Sequence, residues 1–208
     1  MTDRDAQWED VYRSKDEGEV SWFEERPEIS LELIAQSGIA PDAALIDIGA
    51  GASRLTDCLL EMGFRDLAAL DLSRAALTAT RDRLPEDVPV TWIAGDVLRW
   101  TPEKRYALWH DRAAFHFLTD PADQAAYRDK LIEALMEGGY AVIGTFAPDG
   151  PDKCSGQVIE KYDADKLMAL LGPEFRLIDS RRHTHVTPGG TEQRFFYALV
   201  QKRPAGSP

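Results

Sequence analysis

The chain reads as an α/β fold: a doubly wound, mostly parallel sheet with helices on both faces and an antiparallel hairpin at its C-terminal end. Three observations predict it. Short apolar runs alternate with stretches of helical spacing from Leu45 to Leu171. The first three runs lead into glycine or an acid, at Gly49, Asp71 and Asp96. The last two runs, 175–185 and 193–201, are separated by Thr187-Pro188-Gly189-Gly190, a hairpin turn.

Residues 1–42 precede this core as an N-terminal arm and a helix, and the first ten are polar. Trp8, Val11 and Tyr12 fall on one helical face and predict a short helix. Val20-Ser21-Trp22-Phe23 is an aromatic patch between acidic stretches, too short for a core strand. It is either a plug that packs the arm onto the domain or a lid over a ligand. Glu28–Gln36 carries Ile29, Leu33 and Ile34 at helical spacing and ends at Gly38. Leu45–Ile48 is strand one, followed by a glycine turn and a helix with Leu55, Leu59 and Met62 on one face. Strand two runs from Leu67 to Asp71, and Ser73 caps a helix through Leu77, Arg81 and Leu84 that Pro85 stops. Strands three and four are 90–94 and 106–112. Asp120-Pro121 starts a helix through Tyr127, Leu131 and Leu135 to Gly138-Gly139, and Tyr140–Phe146 is strand five. Residues 147–156 form a long polar excursion, before a helix over 163–171 that Gly172-Pro173 halts. The core domain is therefore 43–203, with a short tail at 204–208.

Gly49 and Gly51 sit where a strand turns into a helix. Glycine allows the unusual backbone of such a turn, and its missing Cβ lets a ligand approach the backbone. The helix start aims free N–H groups at whatever lies there. Asp71 follows 20 residues beyond Gly51, at the tip of strand two, placed to hold the ribose hydroxyls of a nucleoside-type cofactor. A dinucleotide fingerprint would want Gly or Ala at position 54, which is Arg54. Strand three ends in Gly95-Asp96-Val97, with Asp96 25 residues past Asp71.

With Asp47, Gly49, Gly51, Asp71 and Asp96-Val97 in this order, the chain resembles the class I S-adenosylmethionine-dependent methyltransferases over roughly residues 43–202. The resemblance implies a seven-stranded sheet whose last strand is antiparallel, and S-adenosylmethionine as cofactor with S-adenosylhomocysteine as product. It implies that Gly49, Ala50 and Gly51 lie against the methionine part and ribose, and that Asp71, with Leu72 beside it, binds the ribose hydroxyls. Asp96 and Val97 would face the adenine, and Asp47 and Trp22 complete the expected cofactor set. Asp47 also has a structural alternative, because a buried acid needs partners and the glycine-loop amides can supply them.

Ligands of open α/β sheets bind at the carboxyl ends of the strands. The end of strand four offers His110, Asp111 and Arg112, with His116 further on, as the candidate catalytic residues. Each has a bland reading: core histidines, a turn-capping acid, and the arginine as its ion-pair partner. Methyl transfer from a sulfonium is an in-line displacement that needs alignment and exclusion of water, and a base only when the acceptor starts protonated. A histidine would serve a hydroxyl or thiol; Asp111 would orient an amine. The acceptor is a small molecule or a protein side chain, lysine included. In the family the chain resembles, an Asn-Pro-Pro-Tyr sequence after strand four marks many amine and glutamine methyltransferases; His110-Asp111-Arg112-Ala113 stands there instead, and the resemblance therefore disfavours base or glutamine methylation. The rival reading is a non-catalytic S-adenosylmethionine-binding sensor or scaffold of the same fold.

Bulk properties exclude other classes. The 208 residues are 44% apolar and 29% charged, an ordinary globule, with net charge −12 from 24 basic and 36 acidic residues. Such an acidic chain is a poor partner for nucleic acid. No run approaches a membrane span, and no signal sequence opens the chain, so a cytoplasmic protein is expected. Cys58 and Cys154 have no metal or redox spacing; Cys58 reads as core and Cys154 as an exposed loop residue. His183 and His185 share one strand face but lack further ligands, so no metal is expected and both read as structural or rim residues.

Overall fold

The computed structural model describes residues 3–14, 18, 20–204 and 206, so most of the expected tail lies outside the described residues. Helix α1 (Asp3–Ser14) leads through the aromatic patch to α2 (Glu28–Ser37), which closes on Gly38 in the left-handed region. Then follow β1 (Leu45–Ile48), α3 (Leu55–Glu61), β2 (Leu67–Asp71), α4 (Arg74–Arg83), β3 (Val90–Ala94) and β4 (Tyr106–Arg112). The second half holds α5 (Pro121–Ala134), β5 (Leu135–Phe146), the two-residue strands β6 (Lys153–Cys154) and β7 (Gln157–Val158), α6 (Ala164–Leu171), β8 (Phe175–Val186) and β9 (Glu192–Lys202). Ser73, Asp120 and Asp163 each cap the helix that follows them, their side chains accepting a backbone N–H of the first turn.

Seven strands form one sheet in the order β3-β2-β1-β4-β5-β9-β8. The first five are mutually parallel, and β9 runs antiparallel to both of its neighbours. Alternate residues along the strands enter separate cores. Ile46, Trp109, Ile143 and Ala198 pack with α5 and α6, whereas Leu45, Leu108, Val142 and Leu199 pack with α2 and α3. Burial on both faces is what near-continuous apolar runs require. The chain moves outward from β1 to β3, then returns to the other side of β1 with β4. That reversal opens a crevice at the carboxyl ends of β1 and β4.

Two elements differ from the sequence reading. Helix α5 stops at Ala134, and β5 begins at Leu135 rather than Tyr140. Tyr106 pairs with Leu135 but Leu108 pairs with Tyr140, so residues 136–139 bulge out of the ladder. Gly138 sits there at φ 76°, and a Cβ on Gly139 would stand 3.1 Å from the Ala107 carbonyl oxygen. The polar excursion after β5 folds into the β6–β7 hairpin around Ser155 and Gly156, both at positive φ. Ile159 and Cys154 of this segment are buried, and the Tyr162 amide donates to the Phe146 carbonyl.

Candidate active site

Two buried polar networks stand side by side at the tips of β1 and β4, one on each face of the sheet. Asp47 and His110 are cross-strand partners. His110 Nδ1 lies 2.6 Å from Asp47 Oδ1, and its Nε2 lies 2.9 Å from Ser30 Oγ on α2. All three residues are buried. The order Ser-His-Asp is that of a hydrolase relay, but Ser30 lies outside the cleft, so no substrate reaches its hydroxyl. The relay instead fixes the Asp47 carboxylate.

On the opposite face, Asp111 Oδ1 accepts from the Ala114 and Phe115 amides, both at 3.1 Å. Its Oδ2 accepts from the Tyr127 hydroxyl at 2.8 Å, and that hydroxyl accepts from Trp109 Nε1. Burial pushes the Asp111 carboxyl up to about 6, against hydrogen bonds that pull it down. The turn it secures carries Ala113 at φ 63°, a strained position for a residue with a Cβ.

The glycine turn is built against that loop. Gly49 has φ 63°, and a Cβ on it would stand 2.4 Å from Ala114 Cβ. The Gly51 amide donates to Asp71 Oδ2 at 2.8 Å, and the Ser73 amide donates to Asp71 Oδ1 at 2.7 Å. Burial pushes the Asp71 carboxyl up to about 6, while those two amides oppose the rise. Each of its oxygens keeps a lone pair for a ligand. Asp96 accepts from the Leu98 amide and is half-buried.

The arm forms the roof. Glu9 Oε2 accepts from the Ser73 hydroxyl at 2.8 Å and the Ala75 amide at 3.3 Å, docking α1 on the start of α4. Trp8 meets Phe117 and Trp22 edge-to-face at 5.0 and 5.8 Å, and Tyr12 meets Trp22 at 6.2 Å. A Cβ on Gly51 would stand 2.4 Å from the Tyr12 hydroxyl. Arg112 Nη2 donates to the Trp22 carbonyl at 2.8 Å, and its Nη1 lies 3.2 Å from Glu24.

Together these parts line a cleft of about 970 Å³, a volume that takes in the solvent at its open mouth. Of the expected cofactor set, Trp22, Asp47, Gly49, Ala50, Asp71, Leu72, Asp96 and Val97 line it; Gly51 shapes the turn without lining it. His110, Asp111 and Arg112 line it as well, but His116 does not. His116 is fully buried against Phe117 and Phe146, neither ring nitrogen has a hydrogen-bond partner, and burial pushes its ring down to about 3. Cys154, expected at the surface, is buried and lines the cleft, and burial pushes its thiol up to about 11. Sequence reasoning did not assign Trp8, Tyr12 and Phe117 to the site. The helical face shared by Trp8 and Tyr12 was the available signal.

The comparisons agree with this architecture. Residues 45–139 match the family model described as a methyltransferase domain. Over 148 residues the chain is 30% identical to a trans-aconitate 2-methyltransferase of Sinorhizobium medicae, covering 70% of this chain and 54% of that protein. A malonyl-[acyl-carrier protein] O-methyltransferase of Halalkalibacterium halodurans is 29% identical over 144 residues, 67% of this chain and 48% of the other. The chain thus spans about half the length of these curated relatives. The solved N-methyltransferase NodS of Bradyrhizobium japonicum, in complex with S-adenosylhomocysteine, superposes with a TM-score of 0.74 at 18% identity, over 96% of this chain and 99% of that one. Over residues 45–139 the chain is similar to methyltransferase domains, and its fold is that of the solved N-methyltransferase.

The methyltransferase cofactor can be tested against this chain's own residues. The glycine turn has two positive-φ glycines where a Cβ would collide, β2 ends in a buried acid with free lone pairs, and a second acid stands just beyond β3. These fit an adenosine-bearing ligand.

Proposed function

We propose that the protein transfers a methyl group from S-adenosylmethionine to a small-molecule acceptor. The cleft at the reversal of strand order carries the proposal, since it joins the glycine turn and Asp71 to an aromatic roof within one enclosure. Bound there, S-adenosylmethionine supplies an electrophilic methyl group. In this reading Gly49 and Ala50 lie along its methionine and ribose parts, Asp71 holds the ribose hydroxyls and Asp96 faces the adenine. Trp8, Tyr12 and Trp22 exclude water from the reacting end.

Both ring nitrogens of His110 and three lone pairs of Asp111 are engaged, so these two residues hold the walls. An acceptor that arrives with a free lone pair needs no base from either. The names of the curated relatives, trans-aconitate and malonyl-[acyl-carrier protein] methyltransferases, support a small or carrier-borne acceptor. None of them favours a lysine on a protein. Among the described residues no helix is long and apolar enough to cross a membrane. Two free, buried cysteines accord with a reducing cytoplasm.

The test is calorimetry with S-adenosylhomocysteine. Wild type binds, and Asp71→Ala loses about 1–3 kcal/mol, the scale of charge-assisted hydrogen bonds. Unchanged affinity in that variant defeats the ribose assignment. Incubation with methyl-labelled cofactor and the small-molecule fraction of an extract then finds the acceptor; a protein that binds but never transfers label is the sensor.

A further inference from the structure

We propose that His185 is a positioning residue that latches the aromatic arm over the cleft. The inference rests on the arm serving as the roof of the proposed methyltransferase site. His185 lies near the end of β8, on the antiparallel side of the sheet, and is buried. Its Nε2 is 2.8 Å from the Ser21 carbonyl oxygen, and its Nδ1 is 3.2 Å from Glu24 Oε1.

Both partners of the ring belong to the arm: a backbone carbonyl, which only accepts, and a carboxylate that Arg112 also faces at 3.2 Å. The ring therefore ties two points of one short segment to β8.

The latch closes on both sides of Trp22, because His185 holds Ser21 while Arg112 holds the Trp22 carbonyl and Glu24. The charged and titratable groups facing His185 are few. Glu24 comes from the arm and Arg112 from β4. His183, on the same strand, has its Nε2 3.8 Å from Glu24, and Tyr197 of β9 interacts with Arg112 and Glu24. Loss of the ring leaves Glu24 with Arg112 alone and frees Ser21, so the arm loosens.

The test is hydrogen exchange of residues 20–24 in the free protein. Protection in His185→Ala falls about tenfold below wild type, while that of the β1 and β4 amides is unchanged. The dissociation rate of S-adenosylhomocysteine rises by a similar factor. Glu24→Gln removes the acidic partner without touching β8, and it loses protection in the same way even if His185→Ala disturbs the strand. Wild-type protection in both variants overturns the latch. Failure of wild type to bind S-adenosylhomocysteine overturns the methyltransferase reading instead, because the exchange measurement needs no ligand.

Discussion

Asp111 carries a burial cost that its hydrogen bonds only partly offset, and this makes it measurable. Its folded carboxyl titrates at about 6, above the ordinary 3.8 of an aspartate. The native state therefore binds a proton that the unfolded chain has already released. Stability from this group is fully present below the unfolded value and is lost as pH rises to about 6. Asp111→Asn keeps the shape and does not ionise. Relative to wild type it should gain stability on the order of 2–3 kcal/mol between pH 4 and pH 7, read by urea denaturation at each pH. His116 makes the contrary case. Its two unpartnered nitrogens gain nothing from the protein, so His116→Phe should leave cofactor affinity unchanged. It should be neutral or stabilising by up to about 2 kcal/mol, with calorimetry and thermal melts as the checks. A loss of binding would return His116 to the site. Such distinctions were only half legible in the sequence. Gly49, Gly51 and Asp71 are visible there because backbone conformation and strand tips dictate them locally. The partners of His110 are not, since Ser30 lies 80 residues away and Asp47 lies 63.

At the scale of elements, the arm invites a direct experiment. Glu9, Trp22 and Glu24 all touch the domain through polar contacts to Ser73, Ala75, Arg112 and His185. None of the sheet's strands depends on them, so a chain lacking residues 1–24 should fold. It should release S-adenosylhomocysteine at least tenfold faster, measured by stopped flow beside a thermal melt. A plug predicts a different outcome, in which the melting temperature collapses along with binding. Strands and capped helices were read well from the sequence because Ser73, Asp120 and Asp163 announce their helices locally. The start of β5 was not, because its bulge answers to Ala107 across the sheet. The β6–β7 hairpin was missed for a related reason: its Ser155-Gly156 turn is a weak signal without flanking apolar alternation.

For the whole molecule, the described residues contain no group of three or more His, Cys, Asp or Glu able to hold a metal. Addition of a chelator should therefore leave S-adenosylhomocysteine affinity unchanged, and weakened binding restored by one divalent ion would contradict this. The ligand itself should raise the melting temperature with its concentration, as binding to the native state alone demands. The doubly wound order was legible because alternating elements permit few topologies. Where the arm comes to rest was not, since its anchors lie on β4, α4 and β8, far along the chain. The cleft that results has two unlike halves. One is made of main-chain amides, collision-limited glycines and carboxylates at strand tips, with almost no freedom to vary. The other is made of side chains on a separate preceding segment. Under the proposed function the roof can therefore be redrawn while the nucleoside end stays as it is. A library randomised at Trp8, Trp22 and Phe117 should yield folded proteins with new acceptor preferences, whereas one randomised at Gly49 should return glycine alone.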